Sequence, residues 1–231
     1  MNNPNALLYK WLILNSFAWL LVYAAWLQGW IHLTIASDAS YLSVVMGVVF
    51  VVFWFVSSYN IYALNREVVR FAGGDAHGVA ADYFDKLRRK SANMAGGAFD
   101  QSMLASTLRA RLIMPVQAVN YVANILVLLG LIGTVVGFVI AVAGLGDSLS
   151  GGTNIERVQG VLGQIVNGMG TALFTTVVGS ILGGLWLQIH YIMLARTVNG
   201  LVIELVEQAE IEIIPGLMRR AGAVDVAKAA E

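Results

Sequence analysis

Threonine hydroxyls in the middle of apolar stretches are the groups of this sequence most able to do chemistry. Residues 129–137 read LGLIGTVVG and residues 168–179 read GMGTALFTTVVG, and neither segment contains a charged residue. A hydroxyl oxygen at membrane depth can accept a hydrogen bond from a protonated acid or coordinate a small cation. The candidate ion-pathway residues are Thr134, Thr171, Thr175 and Thr176.

The same threonines have a plainer interpretation. A threonine in a membrane helix commonly bonds the carbonyl oxygen four residues earlier, which satisfies its hydroxyl locally. Helical spacing places Thr171 and Thr175 on one face and turns Thr176 about 100° away. This arrangement allows one set to face a neighbouring helix and the other to face a pore.

Glycines in the same two segments favour close helix packing. Small residues spaced four apart let helix backbones approach in a membrane. Residues 1–62 contain fourteen aromatic residues and two glycines, whereas residues 130–184 contain fourteen glycines and two aromatic residues. The contrast predicts peripheral, lipid-facing helices in the first part and a protein–protein interior in the second, and it favours an oligomer with an inner ring of glycine-rich helices. The packing residues are Gly130, Gly133, Gly137, Gly168, Gly179 and Gly183.

Composition places the chain in a membrane. It has 231 residues, of which 58% are hydrophobic and only 12% charged, against about 25% charged in a soluble domain. Four stretches without Asp, Glu, Lys or Arg reach the length of about 20 residues that a span needs. They cover residues 11–30, 41–63, 118–143 and 165–193. The first is too long and too rich in tryptophan for a signal peptide, so we count it as a span.

Basic residues set the predicted orientation. Eight of the fourteen Lys and Arg residues lie between the second and third spans, and the two short loops at 31–40 and 144–164 contain only Arg157. The positive-inside rule therefore places both termini and the central loop in the cytoplasm. The predicted regions are peripheral spans (1–63), a cytoplasmic helical loop (64–114), pore-forming spans (115–195) and a cytoplasmic helix extension with its tail (196–231).

The cytoplasmic parts carry their own helical signals. Glycine pairs at 73–74 and 96–97 flank an amphipathic helix predicted over Val79–Lys90. Pro115 marks a kink or a restart before the third span. Helical spacing of apolar residues continues span four to Pro215, and residues 216–231 read as a frayed tail.

The remaining polar groups carry weaker predictions. Asn120, Asn124 and Asn167 are interpreted as contacts between helices. His190 is either part of a proton relay or, as we expect, an interfacial histidine bonded to water. The run at 88–90 (Arg-Arg-Lys) anchors the positive side or contacts a cytoplasmic partner.

Two absences narrow the function. Nucleotide, metal-ligand and hydrolase motifs are missing and the chain has no cysteine, so we expect neither an enzyme nor a cofactor or metal site. Proteins that move protons or sodium normally hold a carboxylate at membrane depth. None lies within these four spans, so the titrating acid of an ion carrier must come from another chain.

The two glycine–threonine segments resemble those of the MotA/TolQ/ExbB family. One family motif reads Gly-Leu-x-Gly-Thr-Val-x-Gly, and residues 130–137 read GLIGTVVG. The next reads Gly-Ile-Ala-(Glu)-Ala-Leu-x-x-Thr-x-x-Gly, and residues 168–179 read GMGTALFTTVVG. The likeness covers about residues 118–195, in the family's order.

The resemblance implies an all-α membrane protein with four transmembrane helices and cytoplasmic helical extensions, assembled as a homopentameric ring. The ring would surround a dimer of a single-span partner, similar to MotB, TolR or ExbD, that supplies an aspartate for H⁺ or Na⁺. Thr134 and Thr176 match the family's pore threonines. Thr171 stands where TolQ and ExbB carry Glu, and four spans are the number in MotA, whose central loop is longer.

The sequence thus predicts the proton-conducting subunit of an inner-membrane, ion-driven motor. A passive oligomeric scaffold and a flagellar stator subunit proper remain alternatives, and a secondary transporter is disfavoured by the missing repeat and intramembrane charge. Neither the coupling ion nor the process that is powered follows from the residues.

Overall fold

A computed structural model describes residues 5–74, 77–92, 100–149, 155–217 and 219 of the chain, and within them all regular structure is helical. The elements are α1 (Ala6–Leu27), α2 (Trp30–Ser37), α3 (Leu42–Ala72), α4 (Val79–Ala92), α5 (Ser102–Leu149), α6 (Ile155–Gly179), a π-helical segment π1 (Ser180–Leu187), α7 (Gln188–Gln208) and a second π segment π2 (Ala209–Ile213).

Four stretches of helix are long and apolar enough to cross a membrane. They are Ala6–Leu27, Leu42–Ala72, Ser102–Ala143 and Gln159–Leu217. Each contains most of one predicted span, so the prediction of a helical protein with four spans is confirmed. The chain is a multi-pass membrane protein.

The segment predicted as a loop at 31–40 is largely helical, because α2 occupies Trp30–Ser37. The chain turns into α2 at Gly29, whose φ of +76° favours glycine. Asp38 ends α2, and its carboxylate accepts hydrogen bonds from the backbone N–H groups of Ser40 (3.0 Å) and Ser43 (2.6 Å). Burial raises the pKa of Asp38, but hydrogen bonds from Ser40 and Ser43 outweigh it and hold the pKa below its usual value.

Of the kink or restart predicted at Pro115, the restart is wrong, because α5 is one helix from Ser102 to Leu149, and the kink stays a prediction. A proline inside a helix removes one backbone hydrogen bond and crowds the preceding turn. The neighbouring Val116 is only 2% exposed, and Asn60 Nδ2 donates to the Pro115 carbonyl at 3.4 Å. These contacts hold the proline within the helix.

The residues form two compact units. The first comprises Met1–Lys10, Tyr59–Gln117 and Ile192–Glu231, of which the described parts include the end of α3, all of α4, the start of α5, and α7. The amphipathic helix predicted at 79–90 is confirmed as α4, which buries Tyr83 and Leu87. Its exposed side carries the ion pairs Lys86–Asp82 (2.5 Å) and Arg89–Asp85 (2.8 Å).

The predicted extension of span four is also confirmed. Helix continues through α7 and π2 to Leu217 and buries Leu194, Val198, Leu201, Leu205 and Ala209, which follow the spacing of one helix face. The tail predicted for 216–231 lies almost wholly outside the described residues.

The second unit comprises Trp11–Ser58 and Ala118–Tyr191. It contains most of α1, all of α2, the first half of α3, most of α5, and α6 with π1. Its core consists of Met46, Phe50, Val119, Val122, Ala123, Leu126, Trp186 and Leu187. This cluster packs α3 against one side of the α5–α6 pair and leaves the other side uncovered by α3.

Candidate ion pathway

Glycines bring the backbones of α5 and α6 into direct contact. A Cβ atom on Gly168 would lie 2.5 Å from Ala141 N and from Gly137 O. On Gly179 it would lie 2.6 Å from Leu126 O. Real Cβ atoms do not approach backbone atoms so closely, so only glycine fits at these positions. The same holds for Gly137 and Gly183, whereas a Cβ on Gly133 would meet the side chain of Thr175. We call this contact of α5 with α6 and π1, formed around Gly133, Gly137, Gly168, Gly179 and Gly183, the seam.

The prediction that these glycines pack neighbouring helices together agrees with the seam, which joins α5 to α6 and π1 of the same chain. The glycine-rich part of the sequence therefore serves packing within one protomer. The inner ring of glycine-rich helices in an oligomer stays a prediction.

Thr171 and Thr175 lie inside the protomer, and neither side chain is exposed. The Thr171 hydroxyl donates to Ser37 O at 3.0 Å and accepts from Ala39 N at 3.1 Å. Thr175 donates to Thr171 O at 2.8 Å and packs under Gly133. Thr171 thus ties α6 to the α2–α3 turn, and Thr175 fills the seam.

Thr134 and Thr176 are different, because both are half-buried at the edge of the seam. Thr134 donates to Leu131 O at 2.5 Å. Thr176 donates to Ala172 O at 3.1 Å and to Gly130 O at 3.2 Å. Each hydroxyl hydrogen is thus donated within the protomer. The lone pairs of the oxygen stay available to accept a hydrogen bond from an acid or to coordinate a cation.

Helical spacing shows on which side of the α5–α6 pair these two threonines lie. Val122 of α5 and Val178 of α6 pack on the α3 side. In two antiparallel helices, Thr134 and Thr176 then both fall on the opposite side. We call this side the open face; it comprises Asn120, Asn124, Val127, Leu131, Thr134, Val135 and Phe138 of α5, Met169, Leu173 and Thr176 of α6, and Ser180.

A separate polar cluster lies on the α3 side, around Asn15. Its oxygen accepts from Trp54 Nε1 at 2.8 Å and Trp186 Nε1 at 3.3 Å. Its Nδ2 donates to Trp11 O at 2.8 Å and lies 3.1 Å from His190 Nε2. His190 Nδ1 lies 2.8 Å from Trp186 O; because a carbonyl only accepts, Nδ1 carries the hydrogen and Nε2 accepts from Asn15.

This cluster corrects the expectation that His190 bonds water. The side chain is fully buried, and its two nitrogens bond protein groups. Asn15, Trp54 and Trp186 were not singled out in the sequence, since each looks like an ordinary residue of an aromatic-rich span. The only signal was an amide in the middle of the first span.

No group of three or more His, Cys, Asp or Glu residues in the described part of the chain is placed to hold a metal ion. The chemistry of the open face therefore consists of hydroxyl and amide groups. Such groups can bind a proton carrier or a cation but cannot themselves titrate near neutral pH.

A family model matches residues 86–207, which is more than half of the chain, and its description is the MotA/TolQ/ExbB proton channel family. The chain belongs to this family. Comparison with curated proteins and with solved structures gives no match. The MotA/TolQ/ExbB region begins in α4 and ends in α7, so it contains the whole seam and the open face, whereas α1, α2 and α3 precede it.

Proposed function

We propose that the chain is the proton-conducting subunit of an ion-driven motor complex in a bacterial inner membrane. It performs transport rather than catalysis. Both termini and residues 64–114 lie in the cytoplasm, because the basic residues concentrate there. Membership of a proton channel family supports the conducting role.

The observation that carries the proposal is the state of the Thr134 and Thr176 hydroxyls. Their hydrogens are donated to carbonyl groups of the same protomer. Their oxygens lie at the border of the open face, which α3 does not cover. No Asp, Glu, Lys or Arg lies in the membrane part of α5 or α6. The face thus supplies acceptors for a protonated acid that another chain provides.

Members of the family associate with single-span partner proteins. We infer that five copies of this chain surround a dimer of such a partner, which is MotB-, TolR- or ExbD-like and carries the titrating aspartate. Each charge that crosses the membrane releases about 2.3 kcal/mol per 100 mV. Binding and release of the proton at that aspartate would step the dimer within the ring and perform mechanical work.

Ion flux in liposomes that hold both subunits tests the proposal. Thr176→Val keeps the side-chain volume and removes the acceptor, so we expect proton flux to be abolished while the complex stays assembled. Thr175→Val is the matched control, since this adjacent hydroxyl is buried in the seam and its loss should leave flux near the wild-type rate. The partner's Asp→Asn variant gives the zero of the assay.

Two results would contradict the proposal. Full flux in Thr176→Val would remove the shared site. A wild-type complex that forms an oligomer by native mass spectrometry but conducts nothing under a membrane potential would favour the passive scaffold instead.

A further inference from the structure

Polarity is distributed unevenly along the open face. From Thr134 to Ala143 on α5, the large exposed side chains on this side are Val135, Phe138 and Val142. On the facing stretch of α6 they are Leu162, Val166, Met169 and Leu173. The exposed polar residues Gln164 and Asn167 lie on other sides of α6, and exposed Gln159 lies beyond Leu162. Between these limits, the described side chains of this half of the face are apolar.

The other half of the face holds a series of polar groups. Asn124 and Asn120 lie ten and fourteen residues before Thr134 on α5, which is about 15 and 21 Å along the helix. On the opposing helix, Ser180 at the start of π1 follows Thr176 of α6 by one turn. The contacts of Gly179 with Leu126 and of Gly183 with Ala123 place Ser180 between the levels of Thr176 and Asn124.

Two of these groups, Asn124 and Ser180, are exposed. Neither side chain makes a hydrogen bond to a residue that the structure describes. An amide facing hydrocarbon without a partner costs several kcal/mol. Asn124 therefore faces water or another polar group, and not lipid, once the protein is in a membrane.

We propose that Asn124, together with Asn120 and Ser180, lines a hydrated half-channel that joins the Thr134–Thr176 level to the cytoplasm. The amide and hydroxyl groups hydrogen-bond the water that carries the ion. The apolar half of the face keeps water out on the other side of Thr134, so that access from this chain is one-sided. This inference rests on the proposed function and on its orientation.

Thiol accessibility tests the half-channel, because the chain has no cysteine of its own. The variants are Asn124→Cys, Val135→Cys and Ile125→Cys, made in the assembled complex in inverted and right-side-out membrane vesicles. Ile125 is the control for depth: it is the next residue after Asn124 but points about 100° away from it and about 140° away from Asn120. The probe is a charged, membrane-impermeant thiol reagent.

We expect rapid labelling of Asn124→Cys from the cytoplasmic side only. The Val135→Cys and Ile125→Cys variants should stay unlabelled from both sides. Absence of labelling at position 124, or equal labelling at 124 and 135, would overturn the half-channel. This readout does not require flux, so it stays interpretable even if the chain conducts nothing.

Flux supplies the second measurement. Asn124→Leu should lower proton flux about tenfold or more by removing a hydrogen-bonding group from the path, and Asn124→Gln should restore most of it. Asn167→Leu, which removes an exposed amide outside the open face, should conduct as the wild type does. If the wild type conducts and Asn124→Leu conducts equally well, the inference fails while the proposed function stands.

Discussion

The Asn15 cluster and the open face both place polar side chains at membrane depth, yet they use them in opposite ways. Around Asn15, the amide oxygen has two donors, the amide nitrogen has two acceptors, and His190 uses both ring nitrogens. On the open face, Thr134 and Thr176 use only their hydrogens, and Asn124 uses neither end.

This difference in hydrogen bonding distinguishes polar side chains with a structural role from those with a functional role, whatever their residue type. A polar group whose hydrogen-bonding capacity is filled inside the protomer holds helices together. A group that keeps free acceptors must meet something that the protomer does not contain. The same residue, asparagine, serves both purposes within one unit of this protein.

Asn15→Leu should produce the largest loss of stability. It leaves two indole N–H groups and His190 Nε2 without their partner, and membrane hydrogen bonds average about 0.6 kcal/mol with larger values when a buried group is orphaned. We expect a loss of about 2–3 kcal/mol, measured by denaturation in detergent. Asn124→Leu is the control and should leave stability unchanged; equal losses would erase the distinction between the two regions.

Gly168→Ala should follow, because its Cβ would meet backbone atoms of α5 that cannot move aside. Overpacking of this kind costs about 1–3 kcal/mol. Gly163→Ala on the same helix meets nothing within 4 Å and should be neutral or slightly stabilising. The thermal midpoints of the two variants in detergent test this difference. Similar midpoints would mean that α5 and α6 are not in contact at Gly168.

Thr171→Val should cost about 1 kcal/mol, since it removes the hydrogen bonds to Ser37 O and Ala39 N. Flux per assembled complex should be retained, because the hydroxyl is buried within the protomer. Thr171→Ser restores both bonds and serves as the control. A loss of flux at unchanged stability would move Thr171 into the ion path.

Asp38 gives the smallest expected effect and a pH dependence. Its pKa is lowered in the folded protein, so its stabilising contribution is present at neutral pH and is lost as pH falls below the ordinary aspartate range near 4. Asp38→Asn should cost up to about 1 kcal/mol at pH 7. The wild type and the variant should converge on acidification, and a constant difference down to pH 3 would contradict this assignment.

Much of the fold could be predicted from the sequence because membrane spans depend on length and charge alone. The four spans, α4 and the extension of span four all follow from apolar runs or helical spacing. The short α2 was missed because eight residues after a glycine give no periodic signal. The sequence left a kink and a restart open at Pro115, because the contacts that keep α5 continuous, such as those of Val116, are tertiary.

The candidate pathway was predictable only in part. Helical spacing placed Thr176 on a different face from Thr171 and Thr175. It could not predict that the glycines pack within one chain, since a small-residue motif does not determine which helix it contacts. His190 was misplaced because its partner Asn15 is 175 residues away. Asn120, Asn124 and Thr134 do share one helix face in sequence, and that spacing was the available signal.

The π segment Ser180–Leu187 has a consequence for the gene rather than for the chemistry. A π turn holds about one residue more than an α turn, so it can absorb an extra residue while the helix beyond it keeps its orientation. Deleting one codon inside this segment would therefore convert it to an ordinary helix and still leave His190 facing Asn15. Deleting the codon of Ile189, just beyond the segment, would instead rotate His190 by about 100° away from Asn15.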